Sequence, residues 1–476
     1  MPSTVKSKQN SKTQLYRALF LFFFLCAGIF SFLGFGIWQN LFQFNTNVNK
    51  RFHVVISHPT AHIDQGFNQG AIEGVCLAFG FDVSKGECQP NSQVRKFLSF
   101  AYPGTTNNVS LFYSHLLNRH NVQGIKNFIL PGFNYTGLLN KSVRKFESLK
   151  TNLIAIDTFY FPKKGENWPK NLWQFTFRHY FAGYHAGLYA GAYALKNAAK
   201  FRDGNPTKPG KQIRLATLGG QGIPPIYNYA IGFKLGIQMI NKHRQEFNQK
   251  KAVELAMVAH ENIGGFGDSE IPNVKRIMEK FLNKKYVSIV FSIAVSLTAQ
   301  MLGSVRDANT RYAEQGYKHF VIGVDVDQGV TLNNEKTNEV NLESDVLTSA
   351  QIQIPFAVKD IIQKIKKGEK PTSSNFFGGH KYATIPERYK KTEIWSEIKK
   401  VLKEKINLNE ITSVLNQVSG VSGFTNDNSG KINQIISLLY KNSKEIEKRK
   451  HKLNEALGAQ DNFLETLSTW INTWTK

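Results

Sequence analysis

The sequence predicts a two-lobed α/β protein with a parallel sheet in each lobe, and three observations predict it. Short apolar or β-branched runs recur from Arg51 onward: "FHVVIS", "NFILPG", "NLIAID", "IRLATLGG", "ELAMVAH", "VSIVFS" and "HFVIGVD". Amphipathic stretches lie between them, at Val143–Lys150, Ala182–Asn197, Tyr227–Asn241, Asn273–Leu282 and Leu297–Gln315. Strands that alternate with helices build βαβ units and hence parallel sheets. The chain has 476 residues. At roughly 150 residues per domain that is enough for two full cores, and the units are too many for one small sheet.

The boundaries follow from the changes in pattern. Residues 1–17 read as a basic cytoplasmic N-terminus and 18–38 as a transmembrane anchor or signal segment. Residues 51–160 with 350–385 form the expected first lobe, 161–349 the second, and 386–476 a C-terminal helical extension. The lobes are expected to join near Phe161–Pro169 and Ser349–Pro355. The extension is Lys/Glu-rich with apolar residues three and four apart, as in "EIWSEIKKVLKEKINLNEITSVLNQV", and a Gly/Ser-rich linker divides it.

The N-terminal assignment rests on charge and length. Lys6, Lys8, Lys12 and Arg17 precede an uninterrupted apolar run from Ala18 to Trp38. As a helix that run spans about 30 Å, the thickness of a bilayer core. Basic residues on its N-terminal side hold that end in the cytoplasm and put the bulk of the chain outside. A cleaved signal peptide fits less well, because the run is long and lacks a small-x-small site. A lipoprotein cut before Cys26 would want a small residue where Leu25 stands. An uncleaved single-span anchor fits best.

Net charge is +25, with 41% hydrophobic and 20% charged residues. The lysines are scattered among Asn, Phe and Ile, without an Arg-rich, aromatic-interleaved stripe, so nucleic acid is not an expected partner. Cys76 and Cys88 could pair if the domain lies outside the cell, but free thiols are the preferred reading, since no disulfide framework or metal-ligand spacing surrounds them. No P-loop, HExxH or GxSxG motif occurs, and no nucleophile–base pair completes a triad around His62 and Asp64. "GGQGIPP" departs from the dinucleotide-binding glycine pattern. These absences argue against an enzyme and against a bound cofactor or metal.

In open parallel sheets ligands bind beyond the carboxyl ends of strands. Asp64, Asn134, Asp157, Gly219, Asp268 and Asp325 all follow strand-like runs. Read in order, "IDQGFNQGAIEG", "FILPGF", "LIAID", "FRHYFAGYHAGLYAG", "LATLGG", "PPIYNYAIGFKLG", "GGFGDSE", "VIGVDVDQ" and "VLTSAQIQIPFAVKDIIQKIKKGE" resemble the basic membrane protein family. Its best-known members are purine nucleoside receptors, extracytoplasmic substrate-binding proteins of ABC transporters. The resemblance covers Phe52 to Thr384. It implies the type I periplasmic-binding fold, a nucleoside-type ligand, capture by closure of two lobes, and ABC permease subunits as partners.

The family's first motif, Asp-Asp-x-Ser-Phe-Asn, stands here as Ile63, Asp64, Gln65, Gly66, Phe67 and Asn68. Its late motif is complete in Asp325, Asp327 and Gln328, and its Gly-Ser-Phe-x-Asp stands as Gly264 to Asp268. Two departures bear on the ligand. The family's Ala-Gly-Gly-Thr-Gly becomes Ala294, Val295, Ser296, Leu297 and Thr298, and the Lys of its Leu-Thr-Ser-x-x-Lys becomes Ile352. These departures open a second reading: a surface protein that keeps the fold with a degenerate site and acts in interaction or adhesion.

A nucleoside site needs aromatic faces, a carboxylate for the ribose diol and amides for the base edge. The candidates are Asp64, Phe67, Asn68, Asn134, Tyr229, Phe266, Asp268, Asp325 and Asp327. Several have plainer alternatives. Asp64 also suits a helix N-cap, Phe67 a hydrophobic staple, Asp268 a cap on the next helix, and Tyr229 and Phe266 core packing. One of Asp325 and Asp327 is expected to take the diol.

Overall fold

A computed structural model of the chain describes residues 51–56, 66–83, 87–88, 93–102, 109–158, 160, 166–204, 207, 210–222, 224–248, 253–333, 335, 339–341, 343–371 and 383–402. The apolar N-terminal run, Cys26, His62, Asp64 and the helical extension beyond residue 402 lie outside the described residues. No helix among those described is long and apolar enough to cross a membrane.

The strands form two sheets. The first holds β1 (Phe52–Val55), β2 (Leu98–Ala101), β3 (Asn127–Pro131), β4 (Asn152–Ile156) and β5 (Leu172–Phe175) in the order β2-β1-β3-β4-β5, all parallel. The second holds β6 (Lys211–Gly219), β7 (Val253–Asn262), β8 (Val287–Ile293), β9 (Phe320–Asp325), β10 (Val346–Ile352) and β11 (Ala383–Thr384) in the order β11-β10-β9-β8-β6-β7. Only β11 runs antiparallel to its neighbour. β3, β4, β8 and β9 read as near-continuous apolar runs because helices cover both faces of such sheets.

The helices of eight or more residues are α1 (Phe67–Ala78), α2 (Val109–Gln123), α3 (Thr136–Ser148), α4 (His179–Lys196), α5 (Pro224–Lys242), α6 (Ile271–Glu279), α7 (Thr298–Arg311), α8 (Ile354–Lys366) and α9 (Glu393–Leu402). α4 and α5 make the closest helix contact. Gly183 and Gly187 of α4 face the carbonyls of Tyr229 and Phe233, and Gly232 and Gly236 of α5 face those of Tyr180 and Tyr184. A Cβ at any of the four would overlap a backbone oxygen.

Three expectations about boundaries are corrected. β5 pairs with β4, so the chain leaves the first sheet at Thr176–Arg178 and not at 161–169. β10 and β11 belong to the second sheet, although they fall in the stretch 350–385 assigned to the first lobe. Only α8 returns there, where Gly70 and Gly74 of α1 lie against Ile354 and Val358. The start of the C-terminal extension is also part of the second lobe: Ile394, Trp395 and Ile398 of α9 enter its core, and Lys196 Nζ on α4 donates to Glu397 at 2.6 Å.

The thiol expectation is overturned as well. Cys76 at the end of α1 and Cys88 are joined by a disulfide, with Cα atoms 5.8 Å apart. Two cysteines separated by 12 residues need no framework to pair when a helix end and the turn after it bring them together. The bond suits an oxidising compartment.

Under the first sheet lies an imidazole pair, His53 buried and His115 half-buried. His53 Nδ1 bonds Ser99 Oγ at 2.9 Å, and its Nε2 sits 3.2 Å from His115 Nε2. Two neutral rings can share one hydrogen across that gap; two charged rings cannot. Burial pushes His53 well below the usual histidine range, and burial with the nearby Arg119 charge lowers His115 to about 4. Burial also lowers His260 to about 4.

Two predictions follow from packing and titration. Gly232→Ala should lower the melting temperature by several degrees, since a Cβ there must push α4 and α5 apart; calorimetry checks it. The histidines bind protons in the unfolded chain near pH 6.5 but not in the fold. Stability should therefore be full above about pH 6.5 and fall as pH drops toward about 4. Urea melts across that range should show the loss, and His115→Gln should flatten it.

Candidate functional site

The carboxyl ends of the strands carry the candidate site. Gly132, with φ 98°, turns the chain sharply after β3 and presents Phe133. Phe266, in the loop after β7, lies over Gly220 at the end of β6, where a side chain would collide with its ring. The two rings meet across the sheets with centroids 5.7 Å apart and planes inclined by 49°. Ser296 Oγ donates to the Phe266 carbonyl at 2.6 Å and fixes that loop. Phe67 opens α1 and packs partly buried against the main core, and the next residue, Asn68, is buried.

Behind these rings a buried polar chain links the two sheets. Asp157 ends β4 and Asp325 ends β9, and both take left-handed backbone angles, φ 50° and 64°. Asp tolerates that region better than most residues, and such strain persists only when side-chain bonds hold it. Asp157 accepts from the Phe177 N–H at 3.0 Å and from His179 Nε2 at 2.7 Å. The His179 ring stands edge-on to Tyr229 at 4.9 Å, and Tyr229 donates its hydroxyl to Asp325 Oδ1 at 2.8 Å. Burial, followed by the Asp325 charge and bond, raises the Tyr229 pKa well above its ordinary value, so it remains a donor.

The geometry divides the carboxylates. Asp325 is 7% exposed, at the end of a strand, oriented by Tyr229. Asp327 was a candidate for the ligand diol, but Arg388 takes it: Arg388 Nε and Nη2 donate to its two oxygens at 2.8 and 2.9 Å. The same guanidinium donates to Glu335 at 2.6 Å. Burial works against the Arg388 charge, and its bonds to the two acids more than offset this and raise its pKa. In the fold Asp327 is thus already ion-paired.

Tyr229 is likewise corrected. It is enclosed between α4 and the second sheet, packed edge-on against His179 and Phe291, and offers no stacking face. Asp268 is exposed in a short turn before α6 and makes no side-chain cap. Asn134 lies in the turn after β3; its side chain is outside the description. Asp64 lies outside the described residues.

Val295 and Ser296 occupy the turn after β8, where the Val295 carbonyl accepts from Gln328 Nε2 at 3.2 Å. Ile352 is 2% exposed and pairs with Ala383 in the second sheet, so it is a core residue with no room for a charge.

Three aspects were missed from sequence. Phe133 carried a signal, since it follows a strand in "PGF". The His179–Asp157 bond joins residues 22 apart, and Tyr229–Asp325 residues 96 apart, which no local pattern marks.

Comparison with known proteins decides the family. A family profile described as Bmp, ABC transporter substrate-binding protein PnrA-like, matches residues 53–411. The chain belongs to this family. It is a substrate-binding protein of the ABC transporter kind, which binds a small molecule and carries out no catalytic step. No curated protein matches it in sequence. Among solved structures, an ABC transporter solute-binding protein from Aeropyrum pernix K1 is 17% identical, with a TM-score of 0.51 over 86% of this chain and 99% of that one. A solute-binding protein from Conexibacter woesei DSM 14684 is 12% identical, with a TM-score of 0.44 over 75% and 97%. The glucose-galactose binding protein GanP from Geobacillus stearothermophilus is 13% identical, with a TM-score of 0.41 over 72% and 99%. Likeness at this identity shows the fold alone.

The binding protein's Tyr229 should matter to stability through its hydroxyl. Tyr229→Phe keeps the ring and removes one donor from a buried carboxylate. The expected cost is about 1–3 kcal/mol by urea unfolding, with far-ultraviolet dichroism unchanged.

Proposed function

We propose that the protein is an extracytoplasmic, membrane-anchored binding component that captures a nucleoside-type ligand by lobe closure for uptake through an ABC permease. The observation that carries this is the pair of rings, Phe133 from the first lobe and Phe266 from the second, meeting at the strand ends. A flat base needs an aromatic face on each side, and a site that supplies one face from each lobe binds best when the lobes close. Opening by a few ångströms admits the base between them. Phe67 borders the same edge from α1. Asp325, oriented by Tyr229, is the carboxylate for the ligand's hydroxyls.

Anchoring is supported by the apolar run Ala18–Trp38 with basic residues before it. The disulfide is in keeping with an extracytoplasmic location.

The second reading, a surface protein with a closed site, draws on Val295, Ser296 and Ile352, where family glycines and a Lys are replaced. Titration calorimetry with inosine, guanosine and glucose separates the two. The transport reading expects nucleoside binding and a smaller radius of gyration by scattering. Phe266→Ala should then weaken binding at least tenfold, about 1.4 kcal/mol. Absence of binding to every nucleoside tested would leave the surface reading as the better account.

A further inference from the structure

In a parallel α/β lobe the strands start, and the helices after them end, at the edge opposite the ligand. In the first lobe that edge gathers Arg51 before β1, Arg95 and Lys96 before β2, Arg119 near the end of α2, Lys126 before β3 and Lys150 before β4. Contacts tie these positions to one face. Phe79, after α1, stacks on Phe97 at 4.2 Å and meets Phe52 edge-on at 6.1 Å. Asn127 Nδ2 donates to the Arg51 carbonyl at 3.2 Å, and the Asn152 N–H donates to that of Lys126 at 2.8 Å.

Among the described residues none of these six cations makes an ion pair with an acid. Glu147 accepts from Arg144 and from the Lys170 N–H, Glu166 accepts from Arg144, and Glu87 accepts from the Asp82 N–H. Arg51 faces the like charge of Arg119, and its Nε is buried without a hydrogen-bond partner. Val122 stands in the last turn of α2 beside Arg119 and Lys126 and is 77% exposed. Among the described residues no large apolar side chain is more exposed.

Unpaired cations around an exposed apolar tip are the makeup of a membrane-surface contact. The cations attract anionic headgroups while the apolar tip enters the boundary layer. The chain brings the surface with it, since the apolar run ends at Trp38, a short linker before Arg51. We propose that the strand-start edge of the first lobe docks on the anionic lipid surface of the membrane that holds the N-terminus. In that pose Arg51 and Arg119 share a lipid phosphate and Val122 sits among the headgroups. The ligand edge then faces away from the bilayer, open to solute. Contact with a permease requires release from the lipid, which an electrostatic contact permits: it is screened beyond about 8–10 Å at physiological salt.

This inference rests on the anchored reading, and the test separates the two. The full chain carrying Cys26→Ser and Val122→Cys, labelled with an environment-sensitive dye, is reconstituted in nanodiscs. Neutral phosphatidylcholine discs are compared with discs containing phosphatidylglycerol, each with a headgroup-borne nitroxide quencher. Quenching and a blue shift are expected in the anionic discs alone. Both should vanish in high salt and in the variant Arg95→Glu, Arg119→Glu, Lys126→Glu. That variant should still incorporate and keep its melting temperature. A label at Asp268→Cys, on the exposed ligand edge, should stay unquenched. Equal quenching in neutral discs, no quenching in either, or quenching that survives charge reversal would overturn the docking while leaving the anchor intact. A chain that does not incorporate removes the anchor and the docking together. Silent discs with tight binding of a single-stranded oligonucleotide, lost on charge reversal, would reassign the edge to nucleic acid.

Discussion

The backbone contact between α4 and α5 is the constraint on which the site depends. Four glycines let the two helices touch carbonyl to Cα, closer than side chains permit. That closeness puts Tyr229, three residues before Gly232, against His179 at the start of α4. From there each ring reaches one carboxylate, Asp157 at the end of a first-sheet strand and Asp325 at the end of a second-sheet strand. A methyl group at one glycine would shift Tyr229 and, with it, the orientation of Asp325. The helix pair is thus the gauge that sets the distance between the strand ends of two sheets. Glycine costs helix stability, roughly 1 kcal/mol each relative to Ala, and the contact must more than offset that.

A second buried charge group does for the C-terminal segment what the glycines do for the helices. Among the described residues Arg388 is the one cation that bonds both Asp327 and Glu335, and it also donates to the Glu339 carbonyl at 2.7 Å. Removing it would strand the buried Glu335 carboxylate and the partly buried Asp327, which is far more costly than the net worth of the intact group. The loop after β9 is therefore pinned by a residue from beyond β11. This couples the segment that leads into the C-terminal extension to the loop that begins at Asp325. A perturbation at α9 has a physical route to the site through Arg388, Asp327 and the short turn to Asp325.

Much of the fold was legible because parallel strands buried on both faces leave continuous apolar runs. All seven runs read from the sequence are strands. β2, β5, β10 and β11 were not read: "LSFA" and "LWQF" are four residues long, "VLTSAQI" mixes polar with apolar side chains, and β11 has two residues. Missing β5 misplaced the passage between lobes. α2, "VSLFYSHLLNRHNVQ", has almost no segregation of apolar residues: Phe112 and Leu116 enter the core, while His115 meets His53. In the site, sequence could point to strand ends but could not choose between Asp325 and Asp327. Arg388, 61 residues away from Asp327, pairs that acid, and Tyr229 orients Asp325; both partners are brought in by tertiary packing alone.

The replaced family residues bear on rigidity as well as on space. Glycines after β8 would leave that turn free to adjust to a ligand. Here Ser296 bonds the Phe266 carbonyl, and the Val295 carbonyl accepts from Gln328, whose Oε1 accepts from the Val324 N–H at 2.9 Å. The turns after β7, β8 and β9 are thereby linked by side chains, with Phe266 at one end and Asp325 at the other. A site so joined is preorganised: less ordering is needed when a ligand that fits arrives, and a ligand of another shape gains little by adjustment. Ile352 acts in the same direction from the core, since β10 is held to β11 by aliphatic packing where a Lys would have demanded a polar or charged partner. On the proposed function, these departures would narrow the range of ligands the site accepts. The aromatic pair and the oriented carboxylate would, on the same reading, supply the grip on the ligand that fits.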